Sequence, residues 1–126
     1  MGDVTVRPWG SFEVLYKDNN CVVKVITVEK GQKLSYQYHN NRDEQWTVAQ
    51  GKPEITLDVL TETARAGDMY FIPKRLKHRL SAPDGLVKII EVSTGEVDEN
   101  DIVRLEDIYG RPSNAYNQKN IIDTFK

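Results

Sequence analysis

The sequence has little cysteine and no long apolar run. Its one cysteine, Cys21, excludes a disulfide bond within the chain and suits a reducing compartment. No stretch approaches the roughly 20 apolar residues that cross a bilayer as a helix. The opening MGDVTVRPWG has no apolar segment typical of a signal peptide. We therefore expect a cytoplasmic protein without a membrane partner.

The charges show no excess of either sign. Lysine and arginine total 17, aspartate and glutamate total 19, and the formal net charge is −2. Proteins that bind nucleic acids typically present a strongly basic surface. We therefore expect no nucleic acid partner. The length of 126 residues suits one domain of ordinary size.

Short segments rich in β-branched and aromatic residues follow one another along most of the chain. Turn compositions separate them, including glycines and the stretches DNN and PDG. This pattern predicts an all-β sandwich or barrel of about eight strands. A short helical turn is predicted within 98–110. The expected strands cover residues 12–17, 21–30, 33–39, 44–50, 53–60, 69–73, 78–82 and 87–93.

The chain has only two histidines, and one of them lies in the segment GQKLSYQYHNNRDEQWTVAQG. Side chains alternate across a strand, so Gln37 and His39 point to one face. Glu44 begins the next expected strand after NNRD, which has the composition of a hairpin turn. If the two strands pair across that turn, the three side chains converge on one interior point.

Two glycine-framed motifs resemble those of the cupins. The first runs from Gly31 through Gln37-x-His39 and Glu44 to Gly51, and the second comprises Gly67, Pro73 and His78. The resemblance implies a double-stranded β-helix, or jelly-roll, barrel with a short C-terminal extension. It also implies one divalent transition metal on Gln37, His39, Glu44 and His78. Zinc is the first choice, and the ligand types also suit manganese, iron, cobalt or nickel.

A longer resemblance points to the type II phosphomannose isomerase (mannose-6-phosphate isomerase) family. Its more specific segments are the opening RPWGSFEVL, at 7–15, and the ending DIVRLEDIYGR, at 101–111. The family implies one cupin domain over residues 1–111, followed by a tail over residues 112–126. It also implies metal-dependent interconversion of mannose 6-phosphate and fructose 6-phosphate through an enediol, and a homodimer. The nucleotidyltransferase domain that often precedes such a domain is not expected within these 126 residues.

The sequence departs from that family at several positions around the two motifs. Asn40, Asn41 and Gln45 stand where histidines are usual, and Arg75 replaces a glycine after the proline of the second motif. None of these changes removes an expected metal ligand. They bear instead on the sugar pocket and so on the identity of the phosphorylated sugar.

An isomerase of this class needs a base that moves a proton between two carbons. Lys24 is one candidate, provided that the face shared with Val22 and Ile26 is the interior; otherwise Lys24 is solvated. Glu91 is a second candidate, because it shares a face with the apolar Val87 and Ile89. Its alternative is a solvated position at the sheet edge.

Cations are expected to hold the phosphate of the substrate. The resemblance favours Arg111, in the family-specific ending, as an active-site cation, and arginine suits bidentate contact with phosphate. Arg42, at the expected turn beside the ligands, and Arg79, in the charged run PKRLKHR, are further substrate-binding candidates. That run is also typical of a solvated loop. Trp46 shares the face of Glu44 and is either core or pocket lining.

Two other functions remain open at this point. A cupin with these ligands also suits another reaction class, such as an oxygenase or a lyase. A non-catalytic sugar-binding cupin is the other alternative. Metal content and a direct assay with mannose 6-phosphate distinguish the three hypotheses.

Overall fold

The computed structural model describes residues 3–112, and within them the chain forms eleven β-strands and no helix. The strands are β1 (Val4–Arg7), β2 (Gly10–Lys17), β3 (Cys21–Val28), β4 (Tyr36–Tyr38), β5 (Arg42–Gln50), β6 (Glu54–Leu57), β7 (Leu60–Thr63), β8 (Met69–Ile72), β9 (His78–Ser81), β10 (Val87–Gly95) and β11 (Val103–Glu106). Over the same range, nothing in the fold could cross a membrane as an apolar helix.

The strands form two antiparallel sheets that enclose one apolar core. The six-stranded sheet has the order β1-β2-β3-β10-β5-β8, and the five-stranded sheet has the order β11-β4-β9-β6-β7. Fully buried apolar side chains from both sheets meet between them, among them Trp46, Ile55, Leu80 and Ile89. The expected all-β jelly-roll is confirmed.

Alternation along the long central strands decides which side chains face inward. In β3 every second residue is buried, and the buried set includes Val22, Lys24 and Ile26. In β10 the same alternation buries Val87, Ile89 and Glu91. Both ionisable side chains therefore lie in the interior, which excludes the solvated alternatives that the sequence left open.

Three local predictions were wrong. β4 and β5 do not pair across NNRD, because they belong to different sheets and this turn carries the chain from one sheet to the other. The strand expected over 53–60 ends at Leu57. Asp58, with a φ of 55°, lies in the turn after it, and β7 begins at Leu60. The helical turn expected within 98–110 is instead strand β11, which pairs with β4. Residues 113–126 of the expected tail lie outside the described residues.

The RPWG segment has a steric reason for its glycine. Gly10 has a φ of 152°, and a Cβ atom built there would lie 2.0 Å from the backbone oxygen of Thr27. Glycine therefore allows β2 to start directly against β3. The turn buries Trp9 in the core and leaves Arg7 at the wall of a cavity between the sheets and the loops.

Candidate metal centre and active-site cavity

Two histidines and a glutamate form a compact buried group between the two sheets. Glu44 Oε2 lies 3.3 Å from His39 Nε2, and Glu44 Oε1 lies 3.7 Å from His78 Nε2. Their potential ligand atoms all lie within 4.8 Å of one another. The convergence of these three side chains follows from the two sheets facing each other, because Glu44 comes from β5 and His78 from β9.

Hydrogen bonds to backbone carbonyls orient both imidazole rings. His39 Nδ1 donates to the carbonyl oxygen of Asp101 at 2.6 Å, and His78 Nδ1 donates to that of Leu76 at 2.8 Å. Each bond leaves the lone pair of Nε2 directed at Glu44. Among the described residues, His78 Nε2 is buried and has no hydrogen-bond partner.

These three residues fit a divalent transition metal. Neutral imidazoles held through the other ring nitrogen, together with a carboxylate, are a common donor set for such ions. A buried nitrogen with no hydrogen-bond partner is costly unless something binds it. Burial alone would raise the pKa of the Glu44 carboxyl group, but the two imidazoles and the guanidinium of Arg42, which donates a hydrogen bond to it, outweigh burial and lower that pKa to about 2.

Gln37, the fourth expected ligand, lies beside this group. It is buried, and its Nε2 lies 3.3 Å from His39 Nε2. Its Oε1 accepts a hydrogen bond from the hydroxyl of Ser35. The structure thus brings all four expected ligand residues together.

Arg42 lies against the metal-ligand candidates and is buried. Its Nε donates to Glu44 Oε2 at 3.0 Å, and its Nη2 lies 3.2 Å from His39 Nε2. Its Nη1 donates to the carbonyl oxygen of Asp98 at 3.3 Å. Arg42 therefore neutralises the buried carboxylate, and its expected contact with the substrate stays a prediction. Burial lowers the pKa of His39 to about 4, so that ring is neutral at ordinary pH.

Three side chains on neighbouring strands form a row along one side of the site. Trp46 on β5, Glu91 on β10 and Lys24 on β3 are direct partners in the sheet register and point to the same side. The indole Nε1 of Trp46 donates to Glu44 Oε1 at 3.2 Å and to Glu91 Oε2 at 3.1 Å. Trp46 thereby links the metal-ligand candidate Glu44 to the acid–base candidate Glu91.

Glu91 and Lys24 have contrasting surroundings. Burial and the carboxylate of Glu44 raise the pKa of Glu91 to about 8. Ser93 donates a hydrogen bond to Glu91 Oε1 at 3.3 Å. The ammonium of Lys24 forms an ion pair with Glu99 and lies 4.3 Å from the centre of the Phe12 ring.

Three further arginines line the same cavity as Arg42, and the sequence predicted one of them, Arg111. Arg111 is held by Asp107, to which its Nε and Nη2 donate at 3.0 Å and 2.9 Å. Burial lowers the pKa of Arg104, and the charges of Arg111 and Arg7 lower it further. Arg7 and Arg104 were not predicted from the sequence. Arg7 lies in RPWG and Arg104 lies in DIVRLEDIYGR, the two segments most specific to the family that the sequence resembles.

The structure does not bring Arg79 to the site. It follows the inward-facing His78 in β9 and points to the other side of the sheet. Its Nε donates to the carbonyl oxygen of Leu34 at 2.9 Å, and its Nη1 donates to Glu106 Oε1 at 2.6 Å. Arg79 is absent from the lining of the cavity. Its expected place beside the substrate is therefore wrong, because strand alternation separates it from His78.

Most of these groups, but not His78 or Arg79, line one open cavity of about 810 Å³, counting the space at its mouth. Its lining mixes apolar walls such as Phe12 and Ile26 with charged groups of both signs. The charged lining residues are Arg7, Lys24, Arg42, Glu44, Glu91, Glu99, Arg104 and Arg111.

Comparison with known proteins gives curated relatives that are much longer than this chain. The chain is 41% identical over 107 residues to the alginate biosynthesis protein AlgA of Pseudomonas aeruginosa. It is 36% identical over 107 residues to the mannose-1-phosphate guanylyltransferase ManC of Salmonella typhimurium. Each match covers 83% of this chain and 22% of the relative, so the chain spans about a fifth of their length.

Solved structures of low sequence identity share the fold. The capsular polysaccharide assembling protein CapF of Staphylococcus aureus matches with a TM-score of 0.74 at 20% identity, over 84% of this chain and 34% of that one. An RmlC-like cupin from Shewanella frigidimarina matches with a TM-score of 0.70 at 18% identity, over 79% and 87% of the two chains. The fold is therefore that of a cupin. The family described as "Mannose-6-phosphate isomerase C-terminal" matches residues 2–107, and the chain belongs to that family.

Proposed function

We propose that this chain is a metal-dependent sugar-phosphate isomerase that interconverts mannose 6-phosphate and fructose 6-phosphate. One observation carries the proposal: two members of the metal-ligand group (His39 and Glu44), a buried carboxyl group with a raised pKa and three arginines beyond Arg42 all line one cavity. Each of these suits a metal-dependent aldose–ketose isomerase. Membership of the family supports the choice of sugar. Zinc is the metal that we propose first, and the partner expected from the sequence, a second copy of the chain, remains a prediction.

The arginines suit the phosphate of the substrate. A phosphate dianion accepts hydrogen bonds from planar guanidinium groups, often two from one group. Arg7, Arg104 and Arg111 supply several such donors within a partly buried space, where each charge acts more strongly than in water. Binding there fixes the sugar in position for the proton transfer.

Glu91 is the residue to which we assign the proton transfer. A base is most effective when its pKa lies near the working pH, and that of Glu91 is about 8. As a carboxylate it removes the proton from C2 of the aldose, and as a carboxylic acid it returns that proton to C1, while the hydroxyl proton of O2 passes to O1. To Lys24, its partner across the sheet, we assign hydrogen bonds to the sugar oxygens.

Gln37, His39, Glu44 and His78 would hold the metal. When bound, a divalent metal polarises the carbonyl group and stabilises the negative charge that develops on its oxygen. Arg42 and Trp46 keep Glu44 ionised and fixed through hydrogen bonds to its two oxygens.

A coupled assay with mannose 6-phosphate tests the proposal. We expect turnover that a chelator abolishes and added zinc or manganese restores. Reaction in deuterated water should place deuterium on C1 of the fructose 6-phosphate that forms, because the proton of Glu91 exchanges with solvent. Glu91→Gln should remove both turnover and exchange while leaving metal content unchanged.

A folded, metal-loaded preparation with no turnover and no exchange on any hexose phosphate would contradict the proposal. Metal binding without isomerisation would favour another reaction class, such as an oxygenase or a lyase. Sugar binding without metal would favour the non-catalytic alternative.

A further inference from the structure

The segment between β10 and β11 carries a buried aspartate to the turn that joins β4 to β5. The carboxylate of Asp101 accepts hydrogen bonds from the backbone N–H of Asn40 at 3.0 Å and of Asn41 at 2.9 Å. It also accepts one from Asn40 Nδ2 at 3.2 Å. This carboxylate therefore fixes the two residues that follow His39.

The backbone of the same aspartate holds the ring of His39. Its carbonyl oxygen accepts the hydrogen bond from His39 Nδ1 at 2.6 Å. On the other side, the N–H of Arg75 donates to the carbonyl oxygen of His39 at 2.7 Å. Asp101 thus contacts His39 through its ring and through the next two peptide units at once.

The surroundings of the ring agree on one tautomer. An arginine side chain only donates hydrogen bonds. The Nη2 of Arg42 lies 3.2 Å from His39 Nε2, which must therefore present its lone pair. Nδ1 then carries the hydrogen that Asp101 accepts. Two independent contacts thus agree that Nε2, the candidate metal-binding atom, is unprotonated in the neutral ring.

We propose that Asp101 is a positioning residue that sets the tautomer and orientation of His39 for metal binding. This inference rests on the metal-dependent function proposed above. The carboxylate anchors the turn, the anchored turn fixes the distance between His39 and the carbonyl of residue 101, and that carbonyl fixes the ring. Removing the carboxylate should loosen the ring without removing any metal ligand.

Zinc affinity, measured by competition with a chromogenic chelator, tests the proposal. Loss of such an outer contact typically weakens metal binding about 10- to 100-fold. We expect a loss on that scale for Asp101→Ala and for Asp101→Asn, which places an N–H donor against the backbone N–H groups. Asp101→Glu retains a carboxylate and should recover part of the affinity. The matched control is Asp98→Asn, on the same segment, because the exposed carboxylate of Asp98 accepts only from the N–H of Asn100 within the described contacts.

Nitrogen NMR of the imidazole rings in metal-free protein adds a readout that a general loss of stability would not move. The wild type should show His39 protonated on Nδ1 alone, and folded Asp101→Ala should show a mixture of tautomers. Wild-type zinc affinity together with a single tautomer in Asp101→Ala would overturn the inference, and so would an equal loss of affinity in Asp98→Asn. If the wild type binds no zinc, the proposed function fails, and the comparison of tautomers still decides the role of Asp101.

Discussion

Lys24 and Glu91 lie directly opposite each other on β3 and β10, and both are buried in the cavity wall with 5% of their surface exposed. Burying two ionisable side chains costs free energy that a pair of apolar residues would not. Their alternating apolar neighbours show that these positions could hold apolar side chains. We infer that the two residues are retained for chemistry rather than for stability.

The pH dependence of stability should report the carboxyl group of Glu91. Its pKa rises from an ordinary 4.5 to about 8 in the folded protein, which therefore binds this proton more tightly than the unfolded chain does. The stabilisation is complete below about pH 4.5 and is lost as the pH rises to about 8. Urea denaturation of metal-free protein should show the wild type losing more stability than Glu91→Gln across that window. Parallel pH profiles for the two proteins would show that folding does not raise the pKa of Glu91.

His78→Ala should greatly weaken metal binding. It removes one of the two imidazole ligands, and His78 Nε2 is the buried nitrogen without a hydrogen-bond partner. We expect zinc affinity to fall by more than about 100-fold, beyond the effect of an outer contact. Metal content after dialysis and chelator competition measure the change. The control is Arg79→Ala, one residue along but outside the cavity, which should keep its metal; equal losses in both variants would argue for a general structural effect.

Arg111→Ala should affect both substrate binding and stability. It leaves the carboxylate of Asp107, whose side chain is only 3% exposed, without its guanidinium partner. We expect the free energy of unfolding to fall by about 1–3 kcal/mol, the scale of lost hydrogen bonds to a charged group, because Asp107 loses both guanidinium donors and keeps the backbone N–H of residue 111. The KM for mannose 6-phosphate should rise about 10- to 100-fold, the equivalent of a lost charge-assisted hydrogen bond.

A comparison with an exposed arginine separates the two effects of Arg111. Arg65→Ala removes an exposed arginine that does not line the cavity and should leave KM unchanged. An unchanged KM in Arg111→Ala, with the same loss of stability, would assign Arg111 to structure alone.

Arg75 occupies a backbone conformation that suits glycine, with a φ of 69°. Glycine and alanine at this position both remove the side-chain contacts of Arg75 with Asn40 and Tyr38. They differ in backbone strain, because a left-handed conformation costs a residue with a Cβ atom about 1–2 kcal/mol. Arg75→Gly should therefore be more stable than Arg75→Ala by about 1 kcal/mol in urea denaturation, since the greater freedom of glycine in the unfolded chain offsets part of the strain. The reverse order would show that the backbone relaxes at no cost.

Much of the site could be predicted from the sequence because motif spacing and strand alternation act locally. The inward direction of Gln37, His39 and Glu44 follows from the period of two along a strand. The pairing of β4 with β11 instead of β5 could not be predicted, since turn composition does not reveal whether a chain stays in its sheet. Asp101 was missed because its hydrogen-bond partners lie about sixty residues earlier in the chain.

The row formed by Trp46, Glu91 and Lys24 depends on strand register as well as on residue types. Trp46, Glu91 and Lys24 face one another only because three neighbouring strands share one register. Inserting or deleting a single residue in β10 before Glu91 would turn its side chain to the outer surface while leaving every residue type present. Homologous chains should therefore tolerate substitutions within these strands far better than changes of length, and length variation should concentrate in the turns between them.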